Sequence, residues 1–552
     1  MSLEPSRATA AYPSLQKIRV VAEAAPGNSA HRAPGAAAPA PARRGGARAA
    51  PSVAPGHYRA YKPLPFTREE RERVTLLFGG LHWRAERVIQ GALENLGYRA
   101  RILPTATRDD LLTGREVADN GQCCPTSFTV GNLSNFLREE AARSGADVVA
   151  RDFVYITAGS CGACRFGQYH QSYELALRNA GLDSFRMFLL AQDGLSQGPA
   201  HGGGLDVNLP FTLGMVWALI VTDVIQDLEY QTRPYEINPG ETDRVARECV
   251  EYLYGVFRSR PRRGEKWGAL LWHLGTGYFA RAMREVRRRF DAIEVDRLRV
   301  RPVVKITGEF YVQTVEGEPN HHIHRWLESE GAEVYPAAIS IWLDYLLRLA
   351  GQDFEDRIGI DRHARWKARA IRLAQAALRG THARMRRAMN HVPRDLPDQY
   401  ELRRLAAPYY NGRLNGGEGD MLVGKALWAH YRKKAHMTCE LSPYSCMPNT
   451  MSVGAMAAVL GKHPEILYAP IEIKGDAEVH ALSRCQMILT EAKKRAQREF
   501  EETLARTGLT EAKLRAQIAR RPELRRATYR VPHYGVAGTA ANLVMHIAYG
   551  GR

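Results

Sequence analysis

The sequence predicts an α/β protein of two lobes, each built on a parallel sheet, with helical insertions and a disordered N-terminal tail. Three observations predict it. Short apolar runs that stop at glycine alternate with longer stretches of helical period, as strand–helix–strand units require. That alternation begins twice, near residue 73 and again near residue 301. Residues 1–66 are dominated by Ala, Pro, Gly and Arg, as in Ala33–Arg48, and offer little to bury. The expected organisation is a tail over 1–66, a first lobe with a helical extension over 67–300, and a second lobe with a helical insert over 301–552.

The elements follow in order. Arg73–Phe78 is an apolar strand signal stopped by Gly79-Gly80; a helix over Ala85–Leu96 ends at Gly97, and a second strand covers Arg99–Leu103. A helix over Pro125–Arg143, a strand at Phe153–Thr157, a helix over His170–Ala180 and a strand at Phe185–Ala191 continue the pattern. Helical signals dominate from Leu213 to about Phe290. The second start is Arg301–Ile306 before Gly308, then a helix over His321–Glu330 and a strand at Glu333–Tyr335. A helical insert over Asp361–Arg387, a helix at Met451–Leu460, a strand at Ile466–Pro470 and a charged helix over Ala481–Ala505 complete the second lobe. Two Rossmann/flavodoxin-like lobes fit this order.

Composition narrows the function classes. With 552 residues, 45% of them hydrophobic, the chain has material for sizeable cores and is not wholly disordered. No run of about 18 uninterrupted apolar residues occurs, and Met215–Val224 is short and carries Asp223, so no membrane partner is expected. The net charge of +18 leaves an excess of 12 outside the first 60 residues, mostly Arg spread over helical stretches. Without a basic stripe interleaved with aromatics or a zinc-finger spacing, nucleic acid is not the expected partner. Eight cysteines are too few for a disulfide scaffold, and no secretory signal is evident; reduced thiols in a cytoplasmic protein are expected.

The placement of those cysteines is the chemical signal. Cys123 and Cys124 precede Pro125, which is favoured at a helix start, so Cys124 is expected at the N-cap. Cys161 and Cys164 follow the strand at Phe153–Thr157 and precede a helix, in a loop at the carboxyl end of a sheet, where open α/β sheets bind ligands. Cys446 stands before another helix, with Pro448 close behind. A helix amino end carries partial positive charge and free N–H donors, which favour thiolate, the metal-binding form. Such donors also tune an iron–sulfur cluster. Cys249 and Cys485 fall inside helical runs and read as packing residues. The Cys161-x-x-Cys164 pair by itself stays open between zinc, dithiol redox and no chemistry; zinc would need a second pair that Cys123-Cys124 does not comfortably supply.

Cys164-Arg-Phe-Gly-Gln-Tyr169, Arg233-Pro-Tyr-Glu236 and Cys446-Met-Pro448 resemble signature segments of the acyl-CoA dehydratase activase-related proteins, kin of the 2-hydroxyacyl-CoA dehydratase subunits and the double-cubane-cluster proteins. Leu77–Leu103, Cys124-Pro125, Val304–Leu346 with Gly308-Glu309, and Gly417-Glu-Gly419 agree in order, so the resemblance covers about residues 73–490. It implies two α/β lobes holding an iron–sulfur cluster through Cys124, Cys164 and Cys446, with a 4Fe–4S cluster favoured. If Cys123, Cys161 and Cys439 join, a double-cubane cluster becomes possible. It also implies a separate ATP-dependent activator as electron donor, an acyl-CoA-type substrate, and a homo- or hetero-oligomer. In the dehydratase relatives one low-potential electron reaches a 2-hydroxyacyl-CoA thioester, which then loses hydroxide. The chain departs from the large activases in lacking their ATPase module. Gly419–Lys425 mimics a phosphate-binding loop, but Ala426 replaces the magnesium-binding hydroxyl and no strand precedes it.

Accessory roles follow. Arg165 beside Cys164 can offset cluster charge or clamp an anion, and Glu309 after Gly308 can act as acid or base; both are catalytic candidates. Gln168 and Tyr169 are candidate hydrogen-bond donors to the cofactor. Asp476 reads as a turn residue, and of His321, His322 and His324 only the outer two would share a helical face. The expected function is a cluster-bearing redox protein of the dehydratase/activase type, a radical dehydratase or a low-potential reductase. The alternative is a non-catalytic adaptor or assembly protein that retains the fold.

Overall fold

The computed structural model describes residues 64–119, 121–159, 164–191, 203–261, 267–414 and 417–550. The stretch expected to be a disordered tail lies, up to residue 63, outside the described residues. At its expected boundary, Phe66 is fully buried in the first core while Leu64 is exposed.

The first lobe carries strands β1 (Thr75–Phe78), β2 (Arg99–Ile102), β3 (Phe153–Gly159) and β4 (Arg186–Ala191), all parallel in the order β2-β1-β3-β4. The second carries β5 (Val303–Gly308), β6 (Glu333–Tyr335), β7 (Met437–Pro443) and β8 (Tyr468–Ile473), again parallel, in the order β6-β5-β7-β8. The two sheets therefore repeat one doubly wound topology. In each the strand order reverses between the first and third strands, and the crevice at their carboxyl ends is the place such sheets offer a ligand. Those crevices are flanked by the residues after β3 and after β7, where Cys164 and Cys446 stand.

Most strands fall where the apolar runs placed them. The exception is β7, which the sequence does not announce. Thr438, Glu440 and Ser442 alternate with apolar residues, yet the strand is almost wholly buried between β5 and β8. A central parallel strand is normally a continuous apolar run, so a buried Glu440 there departs from the rule.

Leu209–Thr232 is a helix preceded by the N-cap Asn208, whose side chain accepts from Phe211 N–H. With the turn after it, it is the one stretch among the described residues long and apolar enough to cross a membrane. The protein uses it as a core helix instead. Most of its residues pack in the first core with the helices Trp83–Asn95 and Glu241–Arg258. Its acids are anchored internally: Asp223 accepts from Ile339 N and Ser340 N at the start of the helix Ile339–Asp356. Glu229 accepts two 2.6 Å hydrogen bonds from the fully buried guanidinium of Arg84, which also reaches Glu316 at 2.7 Å. Arg233 binds Glu328 at 2.9 Å, and Tyr235 donates to Glu333 at 2.7 Å. The Arg-Pro-Tyr-Glu segment singled out in the sequence thus ties the long helix to the second lobe.

Candidate functional site

The carboxyl edges of the two sheets come together. Cys124 N–H donates to the carbonyl of Tyr444 at 3.3 Å, Arg115 donates to the carbonyl of Lys474 and pairs with Asp476 at 3.4 Å, and Gly475 packs against Leu111. Asp476 is accordingly a turn residue in an inter-lobe contact.

The first lobe supplies two cysteine segments. The helix Cys124–Ser144 begins one residue earlier than expected, because Cys123 has the extended backbone of an N-cap and Cys124 is already helical, with Pro125 next. Cys123 Sγ lies 3.1 Å from Tyr169 Oη and 3.2 Å from Thr126 Oγ1. Cys164 caps the short turn Arg165–Gln168, its Sγ accepting from Phe166 N–H at 3.4 Å, and the helix Tyr169–Asn179 follows. Arg165 donates to the carbonyl of Gly121, so it ties the two cysteine segments together. Gln168 is exposed, whereas Tyr169 is buried with its hydroxyl on Cys123. Cys161 lies outside the described residues.

The second lobe brings Cys446 as N-cap of the helix Met447–Lys462, after Ser445, which holds a left-handed φ of 65°. A non-glycine residue in that region stores strain of a kind that collects at functional sites. Gly308 ends β5 at φ 128°, where a Cβ would lie 2.1 Å from the carbonyl oxygen of Leu441; only glycine lets Glu309 leave the sheet edge here. Glu309 then caps the short helix Phe310–Thr314 by accepting from Val312 N–H at 3.1 Å. Gly417 has φ 55° and its Cβ would strike Pro448, so the glycine pair of Gly417-Glu-Gly419 lays Glu418 beside the Cys446 helix.

These groups share one electrostatic environment. Glu309 and Cys123 are charge neighbours of Cys124, Cys164 and Cys446 alike, and Glu418 of the last two. Burial pushes the Cys124 and Cys164 thiols up to about 12 and raises Cys446 strongly as well, with nearby carboxylates adding to the shift of the latter two. The helix amino ends do not lower these thiols as the sequence suggests; desolvation outweighs the partial charge of a helix end. Burial likewise raises Glu309 to about 7, and raises Glu418 to about 8 with Glu309 adding to it.

Behind this edge lies a set of buried groups that sequence reasoning missed. Gln313 donates to Glu418 at 3.4 Å, and Asn449 donates to Glu440 at 2.9 Å. Lys425 Nζ, Glu440 Oε2 and Gln313 Oε1 find no hydrogen-bond partner among the described residues. Burial lowers Lys425 to about 8 and raises Glu440 to about 8. A glutamate between two glycines, Glu418, was the available signal; Glu440 lies in a strand that the sequence does not announce. Gly419–Tyr431 is a helix, and Gly424 abuts Leu402, so this segment is no phosphate loop.

Other candidates lie elsewhere. Cys439 is fully buried in β7, in the second core, within hydrogen-bonding reach of Cys485, and does not join the edge cysteines. Cys249 is buried in the first core. His321 and His322 take left-handed conformations before the helix Ile323–Ser329, so the three histidines do not share one helix as expected.

Cysteine sulfurs are the donors an iron–sulfur group takes, and the charges around Cys164 and Cys446 do not suit a thiol nucleophile, whereas Cys124 has Arg115 as a charge neighbour. A nucleophile needs a nearby cation or histidine to hold it as thiolate, whereas Cys164 and Cys446 have carboxylates as their charge neighbours. Iron would itself supply the positive charge that stabilises thiolates. Among the described residues no three His, Cys, Asp or Glu side chains stand close enough together, as they are, to hold one metal ion. No protein-family model matches the sequence, and no curated protein does either.

Proposed function

We propose that this chain is a cytoplasmic iron–sulfur redox protein of the 2-hydroxyacyl-CoA dehydratase/activase type. It accepts low-potential electrons from a separate ATP-dependent activator and passes them to an acyl-CoA-type substrate or partner. Cys124, Cys164 and Cys446 would hold the group, with Cys123 and Cys161 as the further candidates, and the group would supply one-electron chemistry. The observation that carries this reading is that three cysteines from remote segments border one inter-lobe edge, with Glu309 and Cys123 as neighbours common to all three.

The chain's own residues have definable tasks. Arg165 positions the two cysteine segments of the first lobe through Gly121. Tyr169 orients Cys123. Glu309 and Glu418, held near neutrality by burial, can keep or release a proton at their carboxylate oxygens.

The test is anaerobic reconstitution with iron and sulfide, followed by iron and labile-sulfide analysis and electron paramagnetic resonance. A brown protein with about four irons per chain is expected for one 4Fe–4S cluster, or about eight for a double-cubane cluster. Cys124→Ser, Cys164→Ser and Cys446→Ser should each lose most of it. A colourless, iron-free wild type, or a triple variant with undiminished iron, overturns the reading and leaves the adaptor function in its place.

A further inference from the structure

One cavity of the second lobe stands away from the cysteine edge. It lies at the opposite, amino edge of the second sheet, lined by Val303 of β5 and by Glu333 and Tyr335 of β6, and encloses about 430 Å³. Val303 and Glu309 stand six residues apart along β5, roughly 20 Å at the rise of a parallel strand, so the cavity is a separate place in the molecule. Its volume falls within the range of small-molecule sites.

Its charges are unequally satisfied. The acids on its wall are all engaged: Glu333 accepts from Arg394, Tyr235 and Thr539, and Asp395 pairs with Arg386 at 3.2 Å. Asp398 caps the helix Gln399–Ala406, and Glu401 pairs with Arg432. Among the described residues, three basic side chains on the same wall have no hydrogen bond or ion pair: His391 and Lys434, part-buried, and Arg530, exposed. They come from three segments: His391 follows the helix Ala364–Ala388, Lys434 follows the helix Gly419–Tyr431, and Arg530 precedes the helix Thr539–Tyr549. Lys434 is half-buried, and burial together with the charges of Arg394, Arg386 and Arg432 pulls its ammonium below the usual range. An anion would relieve that repulsion.

The backbone accounts for how two of these residues reach the wall. Asn390 and His391 (φ 58° each) and Lys433 (φ 48°) make the left-handed turns that end the helices Ala364–Ala388 and Gly419–Tyr431, with His391 N–H donating to Arg386 O and Lys434 N–H to Ala429 O. The wall also has an apolar part, including Val392, Leu396, Trp428 and Val531.

We propose that this cavity binds a small phosphate-bearing molecule, its phosphate held by His391, Lys434 and Arg530 and its remainder against the Val392–Trp428 wall. Three cationic or N–H-donating side chains on one wall match the several acceptor oxygens of a phosphate. The volume leaves room for more than the anion itself. The site stands independently of the redox reading, because none of its residues belongs to the cysteine edge.

The test is calorimetric titration of the full-length chain at low ionic strength with inorganic phosphate, adenosine monophosphate and, as a control, acetate. Saturable binding of a phosphate probe is expected, tighter than acetate. Lys434→Met and Arg530→Ala should each weaken it roughly tenfold or more, as loss of one charge-assisted contact requires, while Lys434→Arg retains it. A tighter nucleotide identifies an organic phosphate; tighter inorganic phosphate identifies the free ion. Neither phosphate binding at millimolar concentration, acetate binding equally well, or unweakened binding by a correctly folded Lys434→Met variant overturns the proposal. Iron content after reconstitution should be the same in Lys434→Met as in the wild type, which separates failure here from failure of the redox reading.

Discussion

The two lobes repeat one strand order but differ in what lies beneath their carboxyl edges. Under the first edge is a ladder of hydroxyls: Tyr155 and Tyr173 lie 3.2 Å apart, and Tyr169 and Thr126 both approach Cys123. Burial raises all three tyrosines, so they stay neutral. Under the second edge are ionisable groups that burial brings toward neutrality: Glu309 to about 7, and Glu418, Lys425 and Glu440 each to about 8. The topology supplies the crevice twice. Under the first edge burial raises one carboxyl, Glu86, to about 7, where it accepts from Leu81 N–H at 3.0 Å; under the second edge four such groups gather. Groups able to exchange protons near physiological pH are therefore concentrated in the second lobe rather than confined to it.

The comparison depends on the edges facing each other, and the strongest prediction breaks that. Arg84, on the first lobe's opening helix, is fully buried between Glu229 and Glu316. Arg84→Met leaves both carboxylates buried with one partner fewer. A loss of about 3–5 kcal/mol in chemical denaturation is expected; a loss below about 1 kcal/mol would mean that Arg233 suffices for Glu229, and Gln226 with Tyr230 for Glu316.

The glycines that end the two first strands sharpen it. At Gly308 an added Cβ meets the carbonyl oxygen of Leu441 at 2.1 Å and φ is 128°. At Gly79, after β1, the closest atom is Leu103 Cβ at 3.2 Å and φ is not left-handed. Gly308→Ala should cost about 2–3 kcal/mol and Gly79→Ala less than about 1 kcal/mol. Equal costs would show that the two edges are built alike after all.

How far the sequence revealed this division depends on where the determining contacts lie. β5 was legible because Val303, Val304 and Ile306 precede Gly308. The positions of Cys124, Cys164 and Cys446 were legible because Pro125 and Pro448 mark helix starts and the strand at Phe153 precedes Cys164. β7 was not, because Thr438, Glu440 and Ser442 interrupt its apolar pattern, and their burial depends on β5, β8 and Asn449. Cys439 was therefore grouped with the edge cysteines although it sits inside a strand, against Cys485. Glu418 and Lys425 gain their character from burial by segments far away in sequence, which local pattern does not carry. The phosphate cavity is assembled from residues between Gln231 and Asn542, and no short motif announces it.

The third prediction concerns protons directly. Glu440 has an ordinary value of 4.5 and is raised to about 8 by burial, against the hydrogen bond from Asn449. Between those values the folded chain keeps a proton that the unfolded chain has lost, so folding stability falls as pH rises from about 4.5 to about 8. Glu440→Gln keeps an oxygen for Asn449 and removes the titration. The variant should gain on the wild type by on the order of 2 kcal/mol between about pH 5 and pH 8, read as denaturation midpoints. A constant difference across that window would show that Glu440 does not titrate there.

The smallest effect tests the first edge. Tyr169→Phe removes the hydroxyl 3.1 Å from Cys123 and leaves the ring, which packs edge-on to Phe166 at 5.0 Å between centroids. One buried neutral hydrogen bond is worth about 1 kcal/mol, so a loss of that size is expected. Because the tyrosine is raised well above its ordinary range, that loss should be the same at about pH 5 and about pH 8, in contrast to Glu440→Gln. A loss that grows across this window would mean that the Tyr169–Cys123 pair is coupled to a titrating group, for which Glu86 is the candidate under this edge.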